Sequence, residues 1–256
     1  MFVSILLCNC PILMSKSNRL LKFYRDPLGV LKRRVISMSE QIRFAAGSDY
    51  RTTDYWKYRH ELFGFDLRGV GDKTKSHQEN VRLLEQGARV LLNSCRKAAV
   101  AFDRSTVLDI GCGTGHFTKV LQQNGVTNYL GIDIVDTLFE ELRTRFPCYR
   151  FQQHDISAKP LEGTYDVILA MDVLQHITDE TKFCYALANI KSHLSPSGVV
   201  IISTYLGSSR RENFYLVRRP LEVFQTAFAG FTINEPTEYA ESFVFSIRHG
   251  TAACLH

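Results

Sequence analysis

A chain of 256 residues is long enough for one substantial domain with extensions and too short for more than two small ones. With 45% apolar and 22% charged residues it has the make-up of a soluble globular protein, and a net charge of +5 is too mild to demand a nucleic-acid or membrane partner. The seven cysteines are odd in number, scattered and free of any C-x-x-C pair, which argues against a disulfide framework or a zinc site and fits a reducing, cytoplasmic compartment.

The chain opens on an apolar stretch from Phe2 to Met14, broken by Asn9 and Pro11. It is too short to span a bilayer, and no basic residue precedes it as a signal peptide requires. Met14 and Met38 are alternative starts, and residues 1–45 are expected to be a weakly specified extension. Lys16, Arg19, Lys22, Arg25, Lys32, Arg33 and Arg34 concentrate positive charge there; a solvated tail is favoured over a nucleic-acid or membrane arm. Residues 46–256 are expected to form one domain, with a lid and helix over 46–100 and the core over 101–256.

Between Ser48 and Lys75 lies an aromatic and charged segment holding Tyr50, Tyr55, Tyr58 and the single tryptophan, Trp56. It reads equally as a lid over a crevice and as packing that fastens a helix to a sheet. Ser76 with Glu79 forms a capping box. The helix it opens repeats apolar residues at Val81, Leu84, Ala88, Leu91 and Cys95.

Next comes Val107-Leu108-Asp109-Ile110-Gly111-Cys112-Gly113-Thr114-Gly115-His116. An apolar strand closes on an acid, and a glycine-rich turn opens a helix over Phe117–Gln123 that Asn124-Gly125 ends. Such a turn lets backbone approach a ligand, and the free N–H groups of the helix start can bind its anionic part. Tyr129–Ile132 is a second strand closing at Asp133, twenty residues past Gly113, where an acid can accept hydrogen bonds from two ribose hydroxyls. Asp133 can instead cap the next helix, although Asp136 is better placed for that.

Leu138, Leu142 and Phe146 mark a helix stopped by Pro147; Tyr149–Gln153 is a third strand, followed by Asp155 and Ile156. Val167–Ala170 is apolar throughout, as a strand buried on both faces requires, and leads into Met171-Asp172-Val173-Leu174-Gln175-His176-Ile177. Thr178 or Asp179 caps a helix with Phe183, Leu187, Ile190 and Leu194 on one face. Ser195-Pro196-Ser197-Gly198 reads as a turn and Val199–Ser203 as a fifth strand. Arg210, Arg211, Arg218 and Arg219 cluster before Pro220, which opens a helix carrying Leu221, Phe224 and Phe228. Strands alternating with helices imply a parallel sheet with right-handed crossovers and a ligand crevice at the first strand.

The glycine spacing departs from the G-x-G-x-x-G of NAD enzymes, because the third glycine comes one residue early. Val107, Leu108, Asp109, Gly111, Gly113 and Gly115 together resemble motif I of the class I S-adenosylmethionine (SAM) dependent methyltransferases. The resemblance covers roughly residues 76–250. It implies a three-layer α/β/α sandwich around a mostly parallel, seven-stranded, Rossmann-like sheet, with Phe231–Glu235 and Phe243–Arg248 as its closing antiparallel pair and the aromatic segment as an N-terminal lid.

It also implies SAM as cofactor, held by Asp109, Gly111, Cys112, Gly113, Gly115, Asp133, Ile134, Asp155, Ile156 and Met171. Asp155 would face the adenine; its other reading is a turn-forming aspartate. Met171–Ile177 resembles motif IV, which borders the methyl group and the acceptor. There His176, one helical turn past Asp172, is the first candidate for a base, against the reading of an exposed or capping histidine; His116 ranks behind it. Some quinone-pathway O-methyltransferases bind a metal through Glu-x-x-Glu-His here. Asp172-x-x-Gln175-His176 lacks one of those charges, so no metal is expected. The Asn/Asp-Pro-Pro-Tyr/Phe motif of nucleic-acid amino-methyltransferases is missing, and Cys184 is assigned to a buried helix face instead of to a nucleophile.

The expected function is methyl transfer to an O, N or C atom of a small molecule. Alternatives are an RNA or protein methyltransferase, a SAM-binding protein without catalysis, and an NAD-dependent oxidoreductase. The arginines from 210 to 219 either recognise an acceptor carboxylate or phosphate or form a solvated loop. Oligomeric state stays open.

Overall fold

The computed structural model describes residues 27–250, with side chains from residue 35 onward. The chain divides into two units, Met1–Arg43 and Phe44–His256. In the first, α1 (Pro27–Phe44) is an 18-residue helix that reaches the boundary, with Val35, Met38 and Ile42 exposed. From Pro27 the chain is helical, with proline at the first helical position, where its missing N–H costs nothing. Phe2–Met14, the basic residues Lys16, Arg19, Lys22 and Arg25, and Cys8, Cys10 and Cys254 lie outside the described residues, as do the side chains of Lys32, Arg33 and Arg34.

The second unit begins with a short antiparallel pair, β1 (Ala45–Ala46) and β2 (Asp49–Tyr50), then α2 (Thr52–Phe63) and α3 (His77–Lys97). Both halves of the expected capping box at the start of α3 are present, Ser76 taking the Glu79 N–H and Glu79 taking the Ser76 N–H. There follow β3 (Thr106–Ile110), α4 (His116–Gln123), β4 (Asn128–Asp133), α5 (Phe139–Arg145), β5 (Arg150–Gln153), β6 (Tyr165–Met171), α6 (Glu180–Ser192) and β7 (Leu194–Thr204). The chain continues through β8 (Arg210–Asn213), β9 (Leu216–Arg218), α7 (Leu221–Ala227), β10 (Phe231–Ile233), β11 (Thr237–Tyr239) and β12 (Ser242–His249).

The main sheet runs β10-β12-β7-β6-β3-β4-β5, with β11 added beside β12. Neighbours from β5 to β7 are parallel, and β12 is antiparallel to both β7 and β10. This is the expected α/β/α arrangement with its closing antiparallel pair, enlarged by β11 to eight strands. The period of two along each strand divides the core into two halves. Val107, Leu169, Val199 and Ile201 face α3, α4 and α5 through Leu91, Leu121 and Leu142. Leu108, Ile168, Ala170 and Ile202 face α6 and α7 through Phe183, Leu187 and Phe224. Strands apolar on both faces are what a sheet covered on both sides needs, and each fully buried Leu or Ile contributes about 1.5–3 kcal/mol.

Three local expectations are corrected. Ser195–Gly198 is not a free turn. It lies inside β7, where a register shift opposite Tyr165 and Val167 absorbs the extra residues and Ser195 donates its hydroxyl to Asp166 at 2.8 Å. The arginine cluster is not a solvated loop but the hairpin β8–β9: Arg210 and Arg218 share Glu212, and Arg211 donates to the Ser48 carbonyl at 2.8 Å. Arg219, just past β9, is buried; it pairs with Glu180 at 2.9 Å and lays its guanidinium 3.7 Å from the Phe183 ring centre. Cys184 is exposed on α6, because that helix turns Phe183, Ala186 and Leu187 inward instead.

Candidate active site

The carboxyl ends of β3, β4 and β6 meet where the strand order reverses direction, the position at which an open α/β sheet leaves a crevice. A cavity of about 400 Å³ opens there. Its floor is the glycine loop. The N–H groups of Gly111 and Cys112 donate to the Ile132 carbonyl at 2.7 and 3.0 Å, which ties the loop to β4. The Gly113 N–H donates to the Asp133 carboxylate at 3.0 Å, joining residues twenty apart in the chain.

Gly111 has φ of +70°, and a Cβ there would lie 2.4 Å from Val173 Cγ2. Gly115, at φ +76°, lies behind the cavity wall, where a Cβ would meet Leu142 Cδ2 at 2.6 Å. The first glycine therefore clears the crevice, and the last lets α4 close on α5.

Among the residues expected at the cofactor, Gly111, Cys112, Gly113, Asp133, Ile134, Asp155, Ile156 and Met171 line the cavity. Asp109 does not. Its carboxylate points into the core and accepts the Tyr129 hydroxyl at 2.8 Å. Burial pushes its pKa up to about 7, the Tyr129 bond opposing and the Asp133 charge adding to the shift. Asp155 takes the N–H and hydroxyl of Ser157 on one oxygen, at 2.8 and 2.6 Å, so it forms the turn and faces the cavity at once.

The opposite wall comes from α2. Its Tyr55 face packs against Phe44, Tyr50 and Phe214, with ring centres 5.4, 5.8 and 5.2 Å away. Its other face turns Trp56, Arg59 and His60 into the cavity. The packing and covering readings of this segment thus describe two faces of one helix. Arg59 is 1% exposed; it donates to the Tyr55 hydroxyl at 3.0 Å and to the Gly71 carbonyl at 3.1 Å, and also reaches the Arg68 carbonyl. It forms no ion pair among the described residues, and its Nε has no hydrogen-bond partner. His60 is buried with Nδ1 likewise unpartnered. Burial lowers the His60 pKa and raises that of Asp133, while the attraction between them opposes each shift.

His176 stands at the end of a short 3₁₀ turn, Leu174–His176, just past β6. Its ring makes a T-shaped contact with Trp56, centres 4.9 Å apart, and stacks on Tyr215 of the β8–β9 hairpin at 5.6 Å. Nδ1 is 2.9 Å from the Tyr215 carbonyl oxygen, so Nδ1–H donates and Nε2 keeps its lone pair. Burial depresses its pKa to about 4, with Arg59 lowering it further and the Tyr215 carbonyl and Asp172 opposing. The imidazole is neutral at physiological pH.

Asp172 has the left-handed φ of +58°, and its N–H donates to Ser203 Oγ at 2.7 Å. Its carboxylate receives the hydroxyls of Tyr239 and of Ser242, the latter at 2.9 Å, which fastens the β11–β12 turn to the exit of β6. Gln175 donates to the same carboxylate at 3.5 Å, leaving its buried Oε1 without a partner. His116 also lines the cavity, its Nε2 unpartnered and its pKa lowered by burial. Among the described residues no group of three or more His, Cys, Asp or Glu is placed to hold a metal. None of the four clustered arginines lines the cavity.

Sequence reasoning missed Arg59, His60, Tyr205, Tyr215, Tyr239 and Ser242. For the first two a signal existed, since Trp56, Arg59 and His60 follow the i, i+3, i+4 spacing of one helix face. The others reach the cavity through tertiary folding alone.

A sheet of this order with a glycine-floored crevice at its switch point defines a class I methyltransferase fold. A family model described as "Methyltransferase domain" matches residues 77–230, more than half of the chain, and the protein belongs to that family. Trans-aconitate 2-methyltransferase of Deinococcus radiodurans is 30% identical over 147 residues, covering 53% of this chain and 55% of the relative. Malonyl-[acyl-carrier protein] O-methyltransferase of Halalkalibacterium halodurans is 32% identical over 45% of this chain and 44% of its own. The chain spans about half the length of the curated relatives it matches. Among solved structures, magnesium protoporphyrin IX methyltransferase of Synechocystis PCC 6803, with bound SAH, aligns at TM-score 0.56 and 17% identity over 67% of this chain and 85% of that one. N-methyltransferase NodS of Bradyrhizobium japonicum aligns at 0.54 and 19% identity over 66% and 97%. The helix α2 lies outside the family match.

Proposed function

We propose that the protein is a SAM-dependent methyltransferase acting on a small-molecule acceptor. The observation that carries this is the meeting of Asp133 with the glycine loop on the floor of a cavity sized for a small ligand. The residues fit the cofactor. Asp133 offers acceptors for the ribose hydroxyls, Asp155 one for the adenine amine, and Ile134, Ile156 and Met171 apolar walls. Arg59, a buried cation with no anionic partner among the described residues and an unused N–H, suits the carboxylate of the methionyl tail.

When bound, SAM supplies a methyl group already activated by its sulfonium. The protein's work is to align an acceptor, exclude water and accept a proton. His176 is fixed for the last of these: the Tyr215 carbonyl sets its tautomer, the flanking rings set its plane, and burial keeps Nε2 unprotonated. Asp172 positions the β11–β12 turn through Tyr239 and Ser242.

Several named relatives act on small molecules, and among the described residues no helix is long and apolar enough to cross a membrane. The test is incubation with methyl-labelled SAM and, separately, a small-metabolite fraction, RNA and protein. Label entering the metabolite fraction is expected. Label entering only RNA or protein would overturn the acceptor class.

A further inference from the structure

We propose that the acceptor is an amine, recognised as its protonated form by the wall formed at the exits of β6 and β7 and the β11–β12 turn. This rests on the reading of the site as a SAM-dependent methyltransferase and narrows its substrate.

The first argument is charge. Two of the cavity's cations are already matched, Lys182 by Asp49 at 2.6 Å and Lys75 by Asp72 at 2.5 Å. Arg59 is assigned to the carboxylate of the methyl donor. Against Arg59 and the single net positive charge of SAM stand Asp133, Asp155, Asp172 and Glu241, so carboxylates remain in surplus with the donor in place. Asp172 is held by hydroxyl and amide donors and by no cation, and Glu241 has no ion-pair partner among the described residues. A carboxylate or phenolate acceptor would meet repulsion here, and an ammonium would not.

The second argument is the hydrogen-bonding sense of what is left open. Gln175 Oε1 is buried and unpartnered, and His176 Nε2 carries a lone pair. Both are acceptors, beside the carboxylate of Asp172, and they call for a ligand that donates. The third is the field along the same wall, which Tyr205 lines. Tyr205 lies in the field of Asp172, Glu241 and Asp72, which add to burial in raising its pKa.

In the reaction the ammonium gives one proton to His176 Nε2, and from there to solvent. The freed nitrogen lone pair attacks the methyl carbon, and the carbon–sulfur bond breaks with its electron pair left on sulfur. The product leaves as the N-methyl ammonium, one proton having been released. Because burial makes His176 a weak base, that proton moves uphill, and turnover rises with pH until the amine's own pKa is reached.

The test is calorimetry on the full chain. S-adenosylhomocysteine is titrated first, then phenethylamine, phenethyl alcohol and phenylacetate into protein saturated with it. These probes share a skeleton and differ in charge. The amine is expected to bind about tenfold tighter than either of the others. Glu241→Gln is expected to reduce that preference while leaving the alcohol and the homocysteine compound unchanged. Equal binding of the three, preference for phenylacetate, no detectable binding of the amine, or an equal loss for all three in the variant would overturn the proposal. If S-adenosylhomocysteine binds and the amine is not preferred, only this inference falls; if it does not bind, the methyltransferase reading falls as well.

Discussion

At the sheet edge, Gly111, Gly113 and Asp133 are held by backbone: loop amides donate to the Ile132 carbonyl and to the Asp133 carboxylate. Across the cavity, Trp56 and His176 are held by side chains and hairpins, through Tyr50 and Tyr215. The first region and His176 belong to the matched family segment, whereas α2 with Trp56 precedes it. The difference separates two tasks. A donor common to a family is gripped chiefly by geometry the fold provides, with Arg59 of α2 added to it, and an acceptor peculiar to one protein is shaped chiefly by side chains and elements attached around that frame.

If that division is right, substitutions on the two sides fail differently. The largest effect is expected at His176. His176→Gln should lower turnover about a hundredfold or more while SAM affinity measured by calorimetry barely changes. Turnover untouched at saturating substrate would make His176 structural. The same group gives a pH signature in stability. Its pKa is about 4 folded and 6.5 free, so the unfolded chain binds more protons between those values. Wild-type stability should fall as pH drops from about 6.5 to about 4, and His176→Gln should flatten that part of a denaturation series.

On the floor, Asp133→Ala should weaken SAM binding about a hundredfold, the loss of two charge-assisted hydrogen bonds. Unchanged affinity would remove Asp133 from the donor site. Arg59→Met should cost about tenfold in affinity for S-adenosylhomocysteine and nothing for 5′-deoxy-5′-methylthioadenosine, which lacks the amino-acid tail. An equal loss for both would assign Arg59 to holding the wall.

The smallest effect on binding is expected at Asp109. Asp109→Asn should leave SAM affinity intact and change stability instead. With a folded pKa of about 7 against 3.8 free, the native acid holds its proton while the unfolded one releases it, so wild type loses stability as pH rises through that window. The advantage of the variant in urea denaturation should widen from about pH 4 to pH 7 and then level off, by at most on the order of 4 kcal/mol.

The order of elements and the site's floor were legible because the signals are local. A strand apolar on both faces, a glycine loop and an acid closing the next strand each declare themselves within a few residues. The β8–β9 hairpin was not legible, since its four-residue and three-residue strands are rich in arginine, and what fixes them is distant: Glu212 within the hairpin, Ser48 before the sheet. Asp109 is the opposite case. It belongs to the motif by spacing, and as the fourth residue of β3 it points into the core on the side of α3, α4 and α5, where it accepts the Tyr129 hydroxyl. Tyr215 and Tyr239 lie 39 and 67 residues from the β6-exit residues they touch, beyond any periodicity.

The most direct test of the account is calorimetric titration of the purified protein with SAM, S-adenosylhomocysteine and NAD. Binding of both adenosyl compounds in the micromolar range, with none for NAD, is the predicted result. A folded protein that binds neither adenosyl compound would reduce the glycine loop to a strand-to-helix turn and contradict the assignment of a methyltransferase.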